Sequence, residues 1–392
     1  MPPRRFADPP RRDVTKRALT ACHPFHQAGF LSSDELFTRF LILAGGFGLN
    51  TSLYRCLIMV TKSLPKVLFL NEPRCEDDAY VKHVHSLATI TTIPQVARKE
   101  QISLIRSAVE DAGPFVAWVW FYQWDQPGPL PMDEELLQPL AESGCKFITM
   151  GGAGYDHIDI KYLTAHKLQY ANNPDSVGYR TADHTAMLIL MALKGMMQSD
   201  AAVRAGRWSD RFNIVSKETR GTVLGIIGMG NIGKQVARHM QNFGLKVIYT
   251  KRSRLPTSEE QGATFVSFEE LLAQADVISL CCPLTEETRH VLSDREFAKM
   301  KNDVIIVNTA RGPVIHEDAL VRALDSGKVL RAALDVFEFE PSVHPGLKSS
   351  PKTILSPHSA VVDGGIIKDQ HLEILRNLES FLRTGQPITP VN

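Results

Sequence analysis

The stretch "VLGIIGMGNIGKQVARHM" (residues 223–240) decides the fold of this chain. An apolar, β-branched run leads into a glycine-rich turn, and the turn leads into a segment with helical patterning. Gly228, Gly230 and Gly233 form the pattern G-x-G-x-x-G, which is weak evidence alone because glycine is common. Between a strand and a helix, the pattern is typical of a turn that binds the pyrophosphate of a dinucleotide.

Each glycine of this turn has a role that follows from its small size. Gly228 permits the tight turn, Gly230 lets the backbone approach a pyrophosphate, and Gly233 lets the helix pack closely on the strand. The N–H groups around Asn231 and Ile232 then face the phosphates at a helix start, where the dipole favours anions. We therefore expect all five residues to contact the cofactor.

The next predicted strand, in "VIYTKRSR" (residues 247–254), ends in positive charge. An acidic residue usually stands about 20 positions beyond such a turn and holds a ribose hydroxyl. Cations would instead pair with a 2′-phosphate, and a serine would add a hydroxyl donor. We therefore predict NADP(H), with NADPH preferred over NADH, bound by Lys251, Arg252, Ser253 and Arg254. The alternative is a solvated basic loop.

Strand-like and helix-like segments alternate from Lys66 onward. The runs "KVLFL", "FVAWVW" and "KFITM" come first, a helical segment covers about residues 180–206, and six further strand-like runs follow. A last amphipathic helix covers about residues 364–384. This alternation predicts an α/β protein with parallel sheets, and 392 residues are enough for two domains.

The composition excludes several classes of function. A net charge of +1 gives no overall attraction to nucleic acid or to an anionic membrane. The six cysteines form no C-x-x-C pair, which favours reduced thiols in a cytosolic compartment. "CHPFH" (Cys22, His23, His26) has no downstream partners that would complete a metal site, so we predict no metal.

Residues 1–58 differ from the rest and are left out of the predicted fold. They begin rich in arginine and poor in acids, as some mitochondrial transit peptides do. Arg39 and Arg55 bracket or interrupt the apolar run that follows, so it is too short to span a membrane. The other interpretation is that translation starts at Met59. We expect a cytoplasmic protein, or a mitochondrial one if the segment is a transit peptide.

Three later segments each begin where a predicted strand ends. "NTARGPV" contains Arg311, "LDVFEFEP" contains Asp335 and Glu340, and "LSPHSA" contains His358. A guanidinium can hold the carboxylate of a 2-oxo acid, and an imidazolium can donate a proton as hydride arrives. A carboxylate beside the imidazole would fix its tautomer and favour its charged form. Spacing alone leaves open whether the three groups meet.

These motifs, in this order, resemble those of the D-2-hydroxyacid dehydrogenase family over about residues 64–388. The resemblance implies two Rossmann-like domains with parallel sheets, the first one discontinuous. Residues 64–174 plus 364–392 would bind the substrate, residues 175–363 would bind the dinucleotide, and the long helix would form a homodimer. It also implies Arg311 as substrate clamp, His358 as acid/base and Glu340 as its partner.

The resemblance implies further contacts with both ligands. "GGAGYDHID" (residues 151–159) is similar to a substrate loop whose N–H groups bind the carboxylate, here at Ala153 and Gly154. The remaining expected cofactor contacts are Cys282 and Pro283 near the ribose, Thr309, Ala310, and Asp335 near the nicotinamide. The cationic stretch resembles the glyoxylate/hydroxypyruvate reductase branch, and residues 308–340 resemble fungal D-mandelate dehydrogenase.

Two other functions remain possible at this point. The fold also resembles that of transcriptional corepressors that sense dinucleotides. These proteins can keep the same triad, so the triad does not discriminate, but the basic 2′-phosphate site favours a reductase. Formate dehydrogenase pairs its histidine with glutamine, so Glu340 argues against it.

In "AWVWFYQW" (residues 117–124) most aromatic side chains are expected in the core, and one or two in a roomy acyl pocket.

Overall fold

Short buried apolar runs form the strands of two parallel sheets, in a computed structural model that describes residues 63–75, 78–122 and 130–392. Leu64–Asn392 forms one compact unit. The predicted α/β class with two parallel sheets is confirmed. The N-terminal extension and the three residues of the "CHPFH" motif lie outside the described residues. Within the described ranges, no group of three or more His, Cys, Asp or Glu side chains is arranged to hold a metal ion.

The first sheet has five strands in the order β2-β1-β3-β4-β5. Its strands are β1 (Lys66–Leu70), β2 (Thr89–Ile93), β3 (Ala117–Trp120), β4 (Phe147–Met150) and β5 (Gln169–Ala171). The helices between them are α1 (Ala79–His85), α2 (Arg98–Ala112), α3 (Glu134–Glu142) and α4 (Ile160–Ala165). The sequence predicted only the three inner strands. Both missed strands are edge strands, and β2 is largely polar, so neither is a continuous apolar run.

The predicted long helix is broken in two. α5 (Pro174–Lys194) starts six residues before the predicted position, with Pro174 in its first turn, where a missing N–H costs little. Gly195 ends it in a left-handed conformation (φ 63°), and α6 (Met196–Arg204) follows at a bend of 64°. In the described part of the chain, no single helix is long and apolar enough to cross a membrane. The bent pair of α5 and α6 together is long and apolar enough, by the criteria of length and composition only.

The second sheet has seven strands in the order β12-β11-β10-β9-β6-β7-β8. They are β6 (Val223–Ile227), β7 (Lys246–Thr250), β8 (Thr264–Phe265), β9 (Val277–Leu280), β10 (Val304–Asn308), β11 (Val329–Leu334) and β12 (Thr353–Leu355). The helices are α7 (Asn231–Asn242), α8 (Thr257–Glu260), α9 (Phe268–Gln274), α10 (Asp294–Lys299), α11 (Glu317–Asp325) and α12 (Pro345–Ser349). Six of these strands were predicted; the two-residue β8 was not.

The last helix, α13 (Ile366–Thr384), packs on the first sheet rather than the second. Its buried side chains Ile374, Leu375 and Leu378 share one hydrophobic cluster with Val67 and Phe147 of that sheet. This is the packing that a discontinuous first domain requires. The domain limits at residues 64–174, 175–363 and 364–392 stay a prediction.

Candidate active site

The candidate site lies at the carboxyl ends of β10, β11 and β12, which are neighbours in the second sheet. Arg311 follows β10, Asp335 and Glu340 follow β11, and His358 follows β12. Because parallel strands end at the same edge of a sheet, their loops meet there. Strand order therefore brings together residues that are up to 47 positions apart in the sequence.

His358 and Glu340 form a direct pair. Nδ1 of His358 lies 2.8 Å from Oε2 of Glu340, while Oε1 of Glu340 accepts a hydrogen bond of 2.9 Å from the N–H of Phe337. Burial acts to raise the pKa of Glu340, but the hydrogen bonds from His358 and Phe337 outweigh it and hold the pKa below its usual value. Since Glu340 occupies Nδ1, Nε2 is the ring nitrogen left for proton exchange with a substrate.

Asp335 shapes the loop that carries His358. Its carboxylate accepts hydrogen bonds from the Ser356 hydroxyl at 2.6 Å and from the N–H groups of Ser359 at 2.9 Å and Ala360 at 3.0 Å. Its backbone carbonyl accepts a fourth, 2.7 Å, from the N–H of His358, whose φ is 51°. Asp335 is only 1% exposed. It is a support behind His358, and its predicted contact with the nicotinamide stays a prediction.

The pKa of Asp335 reflects this environment. Burial acts to raise it, but hydrogen bonds from His184, Ser356 and the following backbone hold it below its usual value. Oδ1 of Asp335 also lies 3.5 Å from Nε2 of His184 on α5. The loop of His358 is therefore tied to α5 through a buried carboxylate that stays ionised at neutral pH.

Arg311 lies against the predicted substrate loop. Its Nε donates to Oδ1 of Asp156 at 2.8 Å, and its Nη1 donates to the carbonyl of Ala310 at 2.7 Å. A Cβ atom added at Gly154 would lie 1.7 Å from Nη2 of Arg311, so a side chain at this position would displace the guanidinium. The structure thus places Arg311 beside Gly154, and Ala153 precedes Gly154 in the same loop.

The turn that presents Arg311 is fixed by two residues to which sequence reasoning gave no role. Asn308 accepts from the N–H of Ala310 at 3.0 Å and donates to the carbonyl of Arg311 at 2.9 Å, so its side chain closes the turn. A Cβ atom added at Gly312 would lie 1.9 Å from the carbonyl carbon of Phe337. The Arg311 turn is therefore packed directly on the backbone that leads to Glu340.

The glycine-rich turn has the geometry that its sequence predicts. Gly228 has φ 96°, and a Cβ atom there would lie 2.6 Å from the backbone nitrogen of Cys282. A Cβ atom at Gly233 would lie 2.3 Å from the carbonyl oxygen of Gly228, so helix and turn are in close contact. At Gly230, the N-cap residue of α7, an added Cβ atom would meet nothing within 4 Å. The residues present therefore fit a dinucleotide phosphate, with open space at the helix start.

The other predicted cofactor residues lie at the start of α7 or follow strands β9 and β10 of the same sheet. Cys282 is buried beside Gly228, and Pro283 after it is exposed. Thr309 is buried, with its hydroxyl 2.7 Å from that of Thr185, and Ala310 is half-buried. Asn231 begins α7 and donates to the carbonyl of Pro174 at 3.0 Å. Ile232, next along α7, is half-buried.

The four residues of the cationic stretch do not have equal surroundings. Arg254 forms two hydrogen bonds to the buried Glu260, from Nε at 2.8 Å and from Nη2 at 3.0 Å. Within the residues that the structure describes, Lys251 and Arg252 form no hydrogen bond or ion pair, and Ser253 is exposed. The two hydrogen bonds to Glu260 engage two of the five N–H donors of Arg254. Sequence reasoning missed this pair, because Glu260 reads as one acid among several in a polar segment.

Known proteins are similar to this chain in sequence and in fold. The family model for the D-isomer specific 2-hydroxyacid dehydrogenase NAD binding domain matches residues 186–360. The chain is 41% identical to 4-methyl-2-oxopentanoate reductase A of Aspergillus oryzae over 310 residues, which cover 79% of this chain and 93% of that protein.

Two solved structures are similar over nearly their full length. A glyoxylate reductase from Paecilomyes thermophila has 37% identity and a TM-score of 0.76, covering 84% of this chain and 99% of that chain. The holo form of D-mandelate dehydrogenase from Rhodotorula graminis has 29% identity and a TM-score of 0.77, covering 84% and 98%.

Proposed function

We propose a specific reductase activity for this chain, which belongs to the D-isomer specific 2-hydroxyacid dehydrogenase family. The chain is an oxidoreductase that transfers hydride between a nicotinamide cofactor and 2-oxo or 2-hydroxy acids. The finer proposal is that it reduces a 2-oxo acid with NADPH to the D-2-hydroxy acid. The observation that carries this proposal is the His358–Glu340 pair, placed at the same sheet edge as Arg311.

The proposed reaction uses each of these side chains for one task. Arg311 and the N–H groups of Ala153 and Gly154 bind the substrate carboxylate, and Arg311 also polarises the carbonyl. Bound NADPH supplies the hydride. His358 gives a proton from Nε2 to the carbonyl oxygen, and Glu340 stabilises the imidazolium before the transfer. In the reverse direction neutral His358 accepts the hydroxyl proton.

The preference for NADPH rests on the end of β7. That strand ends at Thr250. The residues after it are the exposed Ser253 and two cations, Lys251 and Arg252, which form no hydrogen bond or close ion pair among the described residues, although Lys251 acts electrostatically on Glu259 and Arg252 on Glu287. The nearby Glu260 is already paired with Arg254, so its charge is compensated. We assign direct 2′-phosphate binding to Lys251, Arg252 and Ser253. Arg254 holds the loop and retains Nη1 as a free donor.

Bulky 2-oxo acids are the proposed substrates. Trp118, Trp120 and Phe121 are fully buried, which confirms their predicted place in the core. Tyr122 is half-buried with its ring 5.5 Å from that of Trp120, at the sheet edge where Gly151 follows β4, and Trp124 lies outside the described residues. The similarity to a 4-methyl-2-oxopentanoate reductase and a D-mandelate dehydrogenase points the same way. We assign Tyr122 to the wall of the acyl pocket.

A substrate panel tests the proposed function. The purified full chain is mixed with NADPH or NADH and with glyoxylate, hydroxypyruvate, 4-methyl-2-oxopentanoate or phenylglyoxylate, and cofactor oxidation is followed by absorbance at the nicotinamide band. We expect the two bulky acids to be reduced most efficiently, with NADPH, to the D-product on chiral chromatography. Failure to oxidise either cofactor with all four acids would contradict the proposal. The corepressor alternative, which predicts binding without turnover, gains no support from the relatives described above.

A homodimer in the cytoplasm completes the proposal. α6 and the 3-10 helix at Trp208–Phe212 expose several apolar side chains, including Trp208 at 69% and Phe212 at 78%. Such a patch is typical of a surface that another protein covers. Light scattering on the full chain would give the mass of two copies, and Trp208→Glu would reduce it to one.

A C-terminal fluorescent fusion of the full chain would show cytoplasmic fluorescence, whereas mitochondrial fluorescence would assign residues 1–58 as a transit peptide.

A further inference from the structure

Arg311, the proposed substrate clamp, already has an acidic partner on the other sheet's loop. Nε of Arg311, after β10, donates to Oδ1 of Asp156, after β4, at 2.8 Å. Each of the two side chains is 27% exposed, so the pair is partly shielded from water. Asp156 exchanges no proton or hydride in the proposed reaction.

The contact with Asp156 limits how the guanidinium can turn. Of the five N–H donors of an arginine, one is held by Asp156 and one by the carbonyl of Ala310 at 2.7 Å. These two contacts fix the plane of the group, and three donors remain for a substrate. A planar guanidinium binds a carboxylate with two parallel hydrogen bonds only when its plane is correctly oriented.

The same contact places a negative charge beside the substrate loop. Burial acts to raise the pKa of Asp156, but the charge and hydrogen bond of Arg311 outweigh it and hold the pKa below its usual value. Asp156 is therefore ionised at neutral pH. A Cβ atom added at Gly154 would lie 3.3 Å from Oδ1 of Asp156, so this charge is close to the proposed position of the substrate carboxylate.

We propose that Asp156 is a positioning residue for Arg311. It holds the guanidinium plane for the carbonyl and carboxylate of the 2-oxo acid, and its charge weakens ground-state binding of that carboxylate. The inference rests on the proposed function, in which Arg311 contacts the substrate. It adds to Glu340 and Asp335 a further acid of the site, one that orients Arg311 and takes no part in proton transfer.

Two substitutions separate orientation from charge. Asp156→Asn keeps an oxygen that can accept from Nε but removes the charge, so KM for the 2-oxo acid should fall about threefold while kcat stays within about threefold. Asp156→Ala removes both the acceptor oxygen and the charge, so the guanidinium of Arg311 is no longer oriented and kcat should fall about tenfold or more. Asp159→Asn is the matched control, because Asp159 caps α4 through the N–H of Tyr162 and has no hydrogen bond to Arg311.

A double-mutant cycle with Arg311→Ala excludes a purely structural role. If Asp156 acts through Arg311, adding Asp156→Ala to Arg311→Ala should change kcat by less than about twofold. The inference would be overturned if Asp156→Ala lowered kcat by the same factor in the wild-type chain and in Arg311→Ala. Wild-type kinetics of both Asp156 variants would overturn it too. A wild-type chain that reduces no 2-oxo acid would overturn the proposed function as well, so the two failures are distinguishable. Thermal melting of every variant shows whether it is folded.

Discussion

Nδ1 of His358 and Oε2 of Glu340 lie 2.8 Å apart, and the second carboxylate oxygen of Glu340 is held by the N–H of Phe337. The carboxylate is therefore fixed from both sides, and its lowered pKa keeps it charged at neutral pH. A fixed negative charge beside an imidazole favours the protonated ring, which is the form that reduction consumes.

Glu340→Gln should move the alkaline limb of the pH–rate profile for 2-oxo-acid reduction to lower pH. The amide keeps the shape of the side chain but no longer carries the negative charge that stabilises the protonated form of the acid. Substrate binding at low pH should change little. Glu338→Gln is the control, because Glu338 pairs with His290 instead. An unshifted limb would mean that Glu340 is not the partner of the acid.

His358→Ala should reduce kcat by about 10²-fold or more, the usual contribution of a general acid. Binding of NADPH, measured by quenching of protein fluorescence, should stay close to wild type, because His358 is on the loop after β12 and not on the glycine-rich turn. If His358→Ala retained near-normal turnover, another group would have to supply the proton.

Arg252→Ala should raise KM for NADPH at least about tenfold and leave KM for NADH almost unchanged. Loss of one charge-assisted hydrogen bond costs about 1.5–3 kcal/mol, and about 1.4 kcal/mol corresponds to tenfold in affinity. Arg254→Ala is the informative comparison, since it releases the buried Glu260 and should lower the melting temperature. Equal efficiency of the wild type with both cofactors would refute the assignment of NADPH.

Gly230→Ala should impair cofactor binding, whereas Gly233→Ala should impair the stability of the protein. An added Cβ atom at Gly230 meets only open space, so this variant should melt like wild type but bind NADPH poorly, because the methyl group stands where the pyrophosphate approaches. At Gly233 the methyl group would lie 2.3 Å from the carbonyl oxygen of Gly228, so that variant should be destabilised even without cofactor. Melting curves with and without NADPH separate the two effects.

Asp335→Asn should destabilise the protein by about 1–3 kcal/mol at neutral pH, because an amide nitrogen would face backbone N–H groups that now bind a carboxylate. The folded-state pKa of Asp335 is below its usual value, so its stabilisation is present above that value and is lost as pH falls through the folded pKa. Urea unfolding should therefore show a difference between wild type and variant that is constant near pH 7 and shrinks below about pH 4. A difference independent of pH would indicate that the charge of Asp335 is irrelevant.

A chain that begins at Met59 should fold and keep the kcat of the full chain, since β1 starts only at Lys66 and all proposed site residues follow it. Circular dichroism and steady-state kinetics with NADPH compare the two chains. An inactive or unfolded shorter chain would show that residues 1–58 are required by the fold.

Local sequence was sufficient for the features that depend on neighbouring residues. Three glycines between an apolar run and a helical segment predicted the nucleotide turn, because each glycine answers a steric demand within that turn. Alternating strands and helices predicted parallel sheets, and parallel strands end at one edge. This is why Arg311, Glu340 and His358 were expected at the carboxyl ends of strands, whereas the strand order β10-β11-β12 shows that their loops are neighbours.

Only the tertiary structure decided the partners of these residues. Asp156 and Arg311 are 155 positions apart and meet because a loop of the first sheet lies against a turn of the second. The pairing of Arg254 with Glu260, and the support of the His358 loop by Asp335, depend on where each loop folds back. Such contacts leave no periodic pattern in the chain, because a hydrogen bond between distant residues is set by the packing of whole elements and not by their local composition.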